Sequence, residues 1–392
     1  MTDDVGGTGT AIHGRWDSRF DPLAEALADE LARGEELGAS IAVDIDGELV
    51  ADIWGGHADR AQTSPWQQDT IVNFWSCTKT LTSLAALILV DRGVLDPFAT
   101  VASYWPEFGA NGKQDIEVRH LLSHTSGVSG WEAPFTVDDV YDWEKATSHL
   151  AGQAPWWPPG TASGYHALPF GHLIGEILRR ITGRSLKDFV RTEIAEPLGA
   201  DVQIGAVPED TGRIAELVPP PPRDLGLARL APDHPAVKTF AAFPPGASGV
   251  ALAETAPWRD ADIGGANGHG NARGLVRALS PISLSGKANG VQLLSPGTID
   301  MIFAEQADGV DQVLFVPLRF GIGFGLSSPE SIKAVPDGRA CWWGGWGGSL
   351  VVMDTDRRAT YAYVMNKMGP GTTGNARTNR YARLINAAVA SG

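Results

Sequence analysis

Ser76, Cys77, Thr78 and Lys79 form the only Ser-x-x-Lys in this chain. A serine hydroxyl becomes a nucleophile when a neighbouring base can take its proton. An apolar stretch, residues 70–75, reads as extended and runs into the motif. Leu81, Leu84, Ala85, Leu87, Ile88 and Val90 then recur at helical spacing as far as Gly93. That places Ser76 at a helix N-terminus, where unpaired N–H groups and the positive end of the helix dipole favour negative charge. Lys79 shares its helical face three residues on, so its amine can reach the hydroxyl. Lysine serves as a base only when partly neutral, which burial beside a positive dipole promotes. By itself the pattern is common, about one or two per chain of this length, and a solvated helix start would look the same.

Two further segments could complete such a site. Tyr165 follows Pro158-Pro159-Gly160 and precedes an amphipathic run (Leu168, Leu173, Ile174, Ile177, Leu178), which puts it at a loop-to-helix corner. It could share a proton with Lys79, or be a buried aromatic whose hydroxyl finds a partner. Trp342-Trp343-Gly344-Gly345-Trp346-Gly347-Gly348-Ser349 precedes a strand. Its glycines would let backbone approach a ligand and N–H groups hold an oxyanion, or they form a turn padded with tryptophan.

The elements that must carry these residues are readable from periodicity. Helices are predicted over 17–33, 118–123, 137–152, 170–182, 185–194, 272–280 and 376–390. Strands are predicted over 40–46 and 48–55, joined at Asp46-Gly47, and over 320–326, 340–345, 349–354 and 360–366. Strands at both ends with helices between imply an α/β (α+β) fold whose terminal segments share one sheet. The division is a lobe of about 15–75 with about 240–392, a mainly helical lobe of about 76–239, and an N-terminal tail, 1–14.

The bulk properties narrow the function. The chain has 392 residues, 43% hydrophobic, with 47 glycines and 26 prolines, which suits one large domain rich in turns. A net charge of −15 argues against nucleic acid or an anionic membrane as the main partner. No apolar run approaches a membrane span and the N-terminus lacks a signal-peptide pattern, so a soluble, cytoplasmic protein is expected. Cys77 and Cys341 give no disulfide framework, and Cys77 reads as a small buried thiol. His120 and His124 stand at i, i+4 without the glutamate of a zincin motif, and read as structural. Gly321-Ile322-Gly323-Phe324-Gly325 lacks the helix and acidic residue of a dinucleotide fingerprint. Gly-x-Ser-x-Gly is absent. No metal and no cofactor are called for.

Taken together, Ser76-x-x-Lys79, Tyr165 after Pro-Gly, and Trp343-Gly344-Gly345 before a late strand resemble the serine β-lactamase and penicillin-binding-protein superfamily. The resemblance is closest to class C β-lactamases and family VIII carboxylesterases. His120-Leu121-Leu122-Ser123-His124-Thr125-Ser126-Gly127, Ile181-Thr182-Gly183 and Pro197-Leu198-Gly199 agree with it, and it covers roughly 20–390. It implies an antiparallel sheet flanked by helices plus an inserted helical lobe, with the active site between them. Ser76 would form an acyl-enzyme, Lys79 and Tyr165 would act as base and acid, and the backbone N–H groups of Ser76 and Trp346 would form the oxyanion hole. Trp75, His166, Trp343, Gly344 and Gly345 would line the substrate site, and the glycine loop 264–270 would lie beside it.

Two departures bear on the substrate. Where β-lactamases carry Tyr-x-Asn this chain has Ala167, and where their third motif begins with lysine it has Trp343. A neutral aromatic wall favours an uncharged group over an anionic one. The expectation is a carboxylesterase acting on small, relatively apolar esters. The alternatives are acyl transfer, amidase or D-aminopeptidase activity, or weak β-lactamase activity at the same serine.

Overall fold

Pairing of the two chain ends organises this protein, as the strand pattern requires. The computed structural model describes residues 11–391 apart from 223, 225, 245, 331, 333 and 334. Nine strands form one antiparallel sheet: β1 (Ile12–Trp16), β2 (Gly38–Ile45), β3 (Glu48–Gly56), β4 (Ala307–Val310), β5 (Pro317–Phe320), β6 (Gly325–Leu326), β7 (Ala340–Gly344), β8 (Leu350–Asp354) and β9 (Ala359–Met365). Their order is β1-β3-β2-β9-β8-β7-β6-β5-β4, so the last strand pairs with an early one, Tyr361 opposite Val43 and Tyr363 opposite Ile41. The β2–β3 turn has Asp46 and Gly47 both at positive φ, 55° and 86°. That is the geometry a two-residue hairpin demands, and the reason Asp-Gly marks one.

Helices α1 (Asp21–Ala32) and α5 (Ala376–Ala390) pack together beside the sheet, and α4 (Ala272–Ser283) packs on β2, β8 and β9. Between sheet and helical region runs α2 (Thr78–Asp91), whose residues Thr78 to Leu89 are all buried. It contacts α3 (Pro169–Thr182), α4 and β7. Every face of it is covered, which marks an interior helix rather than a surface one. A three-stranded sheet, Val72–Asn73, Gly268–Gly270 and Val202–Ile204, closes the region around the start of α2. No helix among the described residues is long and apolar enough to cross a membrane.

Several boundaries differ from the sequence reading. The strand at Ile12–Trp16 shortens the tail expected over 1–14; residues 1–10 lie outside the described residues. The strand expected over 320–326 is two strands, β5 and β6, because the chain reverses at 321–324, where Gly323 has φ 89°. A short alternating run cannot by itself show that it folds back within itself. The helix over 137–152 breaks at Asp142, whose backbone is extended and whose side-chain carboxylate caps Trp143–Gly152 by accepting the Lys145 amide. The extended approach to Ser76 contains only a two-residue strand, Val72–Asn73.

Candidate active site

Ser76 sits in a short 3-10 turn, Trp75–Cys77, that leads into α2. Trp75 ahead of it has φ 51°, a left-handed conformation that a bulky side chain adopts only when its surroundings impose it. Here Thr78 does so: its hydroxyl donates to the Trp75 carbonyl and accepts the Gly268 amide at 2.8 Å. The turn presents Ser76 half-exposed while Trp75, Cys77, Thr78 and Lys79 are buried.

Two side chains converge on the Ser76 hydroxyl. The Tyr165 phenol donates to its Oγ at 2.6 Å, and Lys79 Nζ lies 3.3 Å from the same atom. The Lys79 amine also donates to the Gly265 carbonyl at 2.6 Å and lies 4.6 Å from the Tyr165 ring centroid. Among the described residues, no carboxylate is bonded to it. Burial pushes the Lys79 amine well below the usual lysine range, with only a weaker opposing pull from Cys77. Burial also pushes the Tyr165 phenol upward, against the pull of its hydrogen bond to Ser76. A neutral amine and a protonated phenol flanking one hydroxyl can take its proton and pass one on. Gly265 must be glycine for the carbonyl to reach Lys79, because a Cβ there would stand 2.6 Å from the Leu168 carbonyl.

The remaining expected residues divide into two groups. Trp346 is half-exposed at the turn after β7, and its ring meets Trp75 with centroids 4.9 Å apart. Among the described residues, no acceptor is bonded to the amide of Ser76 or of Trp346. The amides of Gly345, Gly347 and Gly348 are taken by Ser349, Gly371 and Gly345. A Cβ on Gly345 would collide with the Phe74 carbonyl, so glycine lets this turn close on the nucleophile turn. A Cβ on Gly344 would stand 3.2–3.4 Å from Thr373 and Ser349 backbone, so Gly344 faces neighbouring chain rather than an open pocket. Trp75 packs against Trp346, Trp258 and Phe243, the last from the segment after the helix Pro235–Phe240.

Trp343 and His166 are not where a pocket-lining role would put them. Trp343 is buried and stacks on the Tyr165 ring at 5.5 Å. His166 is 0% exposed, bonded to Ser126 Oγ at 2.6 Å and to the Gly164 carbonyl at 2.7 Å, and burial pushes it down to about 3. It points away from solvent and supports the Tyr165 segment. Ala167, the next residue, is the one that reaches solvent. His124 and His120 are likewise committed to backbone amides, of His166 at 3.1 Å and of Glu117 at 3.2 Å. Burial raises the Cys77 thiol, which lies 3.7 Å from the Trp343 carbonyl, so it stays protonated and inert.

Sequence reasoning passed over two contributors. Gly265 lay in a loop noted only as neighbouring, and Asp311, which accepts the Tyr165 amide at 3.1 Å, carried no signal at all. His124, read as structural, holds the His166 amide.

A model of the beta-lactamase family matches residues 23–385. The chain belongs to the beta-lactamase family. Among members of that family, it is 34% identical over 372 residues to the esterase/beta-lactamase LipL of Mycobacterium tuberculosis, covering 92% of this chain and 84% of LipL. It is 31% identical over 290 residues to the esterase EstB of Burkholderia gladioli, covering 66% of this chain and 69% of EstB. The crystal structure of a family VIII carboxylesterase superposes with a TM-score of 0.89 at 36% identity, covering 96% of this chain and 98% of that one. The sheet with flanking helices is thus the beta-lactamase-like fold.

Proposed function

We propose that this protein is a serine carboxylesterase that forms an acyl-enzyme on Ser76. The observation that carries the reading is the hydroxyl of Ser76 flanked by the Tyr165 phenol at 2.6 Å and the Lys79 amine at 3.3 Å. Its likeness over most of its length to LipL, EstB and a family VIII carboxylesterase supports ester hydrolysis.

In this reading Ser76 Oγ attacks the ester carbonyl as Lys79 and Tyr165, acting as a coupled pair, accept its proton. The carbonyl oxygen becomes an oxyanion facing the unengaged amides of Ser76 and Trp346. The pair then protonates the departing alkoxide, and water repeats the sequence on the acyl-enzyme to release the acid. The substrate class follows from what surrounds the hydroxyl. Ala167 and Trp346 reach solvent near it, Trp343 fills the space behind Tyr165, and the lysine present is buried. With Lys79 buried and a neutral aromatic at position 343, the site suits an uncharged, apolar ester better than an anionic substrate.

The test is a panel sharing one acyl chain: a p-nitrophenyl ester, the matching anilide, and nitrocefin as the β-lactam. Ester turnover should dominate, and an adduct from a fluorophosphonate should map to Ser76. No ester turnover, or nitrocefin hydrolysis matching it, would overturn the reading.

A further inference from the structure

Tyr165 carries its phenol on irregular backbone, between the Pro-Gly turn and the start of α3. No ladder of helix or strand hydrogen bonds holds it there. Its neighbouring amides go instead to distant groups. Gly164 N–H donates to the His124 carbonyl at 2.9 Å and His166 N–H to His124 Nδ1 at 3.1 Å. Tyr165 N–H donates to Asp311 Oδ1 at 3.1 Å.

Asp311 lies in the loop between β4 and β5 and is 0% exposed. The same oxygen accepts the Val313 and Leu314 amides, each at 2.9 Å. The adjoining Gln312 amide donates to the Ser163 carbonyl at 2.9 Å, so two bonds stitch this loop to the Tyr165 segment. A buried carboxylate is costly, and a loop spends one here on three backbone amides of which one belongs to Tyr165.

We propose that Asp311 is a positioning residue that fixes the Tyr165 phenol against Ser76 by holding the Tyr165 backbone amide. The proposal rests on the role given to Tyr165 above. The titratable groups facing Tyr165 are Cys77 and Lys79 from the start of α2, His124 and His166 from the packing segments, and Asp311 from the β4–β5 loop. Burial is the main force raising the Tyr165 phenol, with Cys77 and then Asp311 adding to it. Burial also pushes the Asp311 carboxyl up and both histidines and Lys79 down, each toward its neutral form.

The test is a cycle with Tyr165→Phe, read as kcat and KM on a p-nitrophenyl ester after circular dichroism confirms folding. Displacing a catalytic group by about 1 Å costs on the order of 10²-fold, so Asp311→Ala should lower kcat by about 10–100-fold with KM little changed. In the Tyr165→Phe background the same change should cost nothing further. Asp311→Asn keeps an oxygen acceptor for the Tyr165 amide and should recover most of the lost kcat. Full additivity of the two losses, or wild-type kcat in Asp311→Ala, overturns the proposal. Should the alanine variant not fold, Asp311→Ser takes its place, and wild-type kcat there overturns it equally. Wild-type activity in Tyr165→Phe sinks the reading of the site itself. An inactive Tyr165→Phe beside an unimpaired Asp311→Ala sinks only the positioning role.

Discussion

Arg377 and Lys79 are both cationic side chains withdrawn from water, one in the first turn of the C-terminal helix α5 and the other beside Ser76, and the protein surrounds them differently. Arg377 meets the buried Glu36 carboxylate at 2.8 Å, donates to the Lys367 carbonyl at 2.7 Å and to the Glu35 carbonyl, while Tyr363 and Tyr381 donate to the same carboxylate. Burial pushes Glu36 up and Arg377 pulls it back, so each ion justifies the other. Lys79 has a carbonyl, a hydroxyl and an aromatic face, and no carboxylate among the described residues. The pairing that pins α5 to the sheet is what the site withholds. Denied a counter-ion, a buried lysine gives up its proton and becomes a base.

The contrast can be broken from either side. Ser76→Ala should have the largest effect, about 10⁴-fold or more off kcat, with fold and melting temperature retained, measured by ester hydrolysis and circular dichroism. Loss of only a few-fold would leave the site without its nucleophile. Lys79→Gln and Tyr165→Phe should each cost about 10²–10⁴-fold in kcat, the range of a positioned acid or base. Their double variant should be much less than the product of the two if they act as one unit. Arg377→Ala should instead act on stability, by about 3–5 kcal/mol in a urea melt, because it strands a buried carboxylate. Its kcat per folded molecule should stay near the wild-type value, and a large kcat loss would mean the two clusters are coupled. Replacing both partners, Glu36→Leu with Arg377→Met, should recover part of that loss.

The smallest effect sharpens the comparison through pH. A base must be neutral, so kcat/KM should rise as Lys79 loses its proton at a pH well below the usual lysine value of about 10.4. It should fall only when Tyr165 ionises, which burial places above the ordinary tyrosine range. A rate that climbs only near pH 10 would show Lys79 to be charged like any exposed lysine. In Arg377→Ala the profile should keep its shape.

Much of the molecule was legible before folding. The 376–390 helix, the Asp46-Gly47 hairpin and the closing strands stand where periodicity put them, because those signals are local. What periodicity could not show is where a strand doubles back, as between β5 and β6, or where a cap splits a helix, as at Asp142. His166 reads as a pocket-lining neighbour of Tyr165 and turns out to be buried, bonded to Ser126 and the Gly164 carbonyl. In irregular backbone the packing around a side chain, and not its place in the chain, sets where it points.

By itself the sequence determined the spacing of Ser76 and Lys79, which one helical turn places together whatever surrounds them. It also determined the glycines at 344–348 and the absence of a second cation in the third motif. Only the tertiary structure decided that Lys79 is buried without a counter-ion, that Tyr165 crosses 89 residues of chain to reach Ser76, and that Asp311 holds it from 146 residues further on. Reach within a helix is a property of neighbours in the chain. Desolvation and the approach of irregular loops depend on everything packed around them, and no local pattern encodes that.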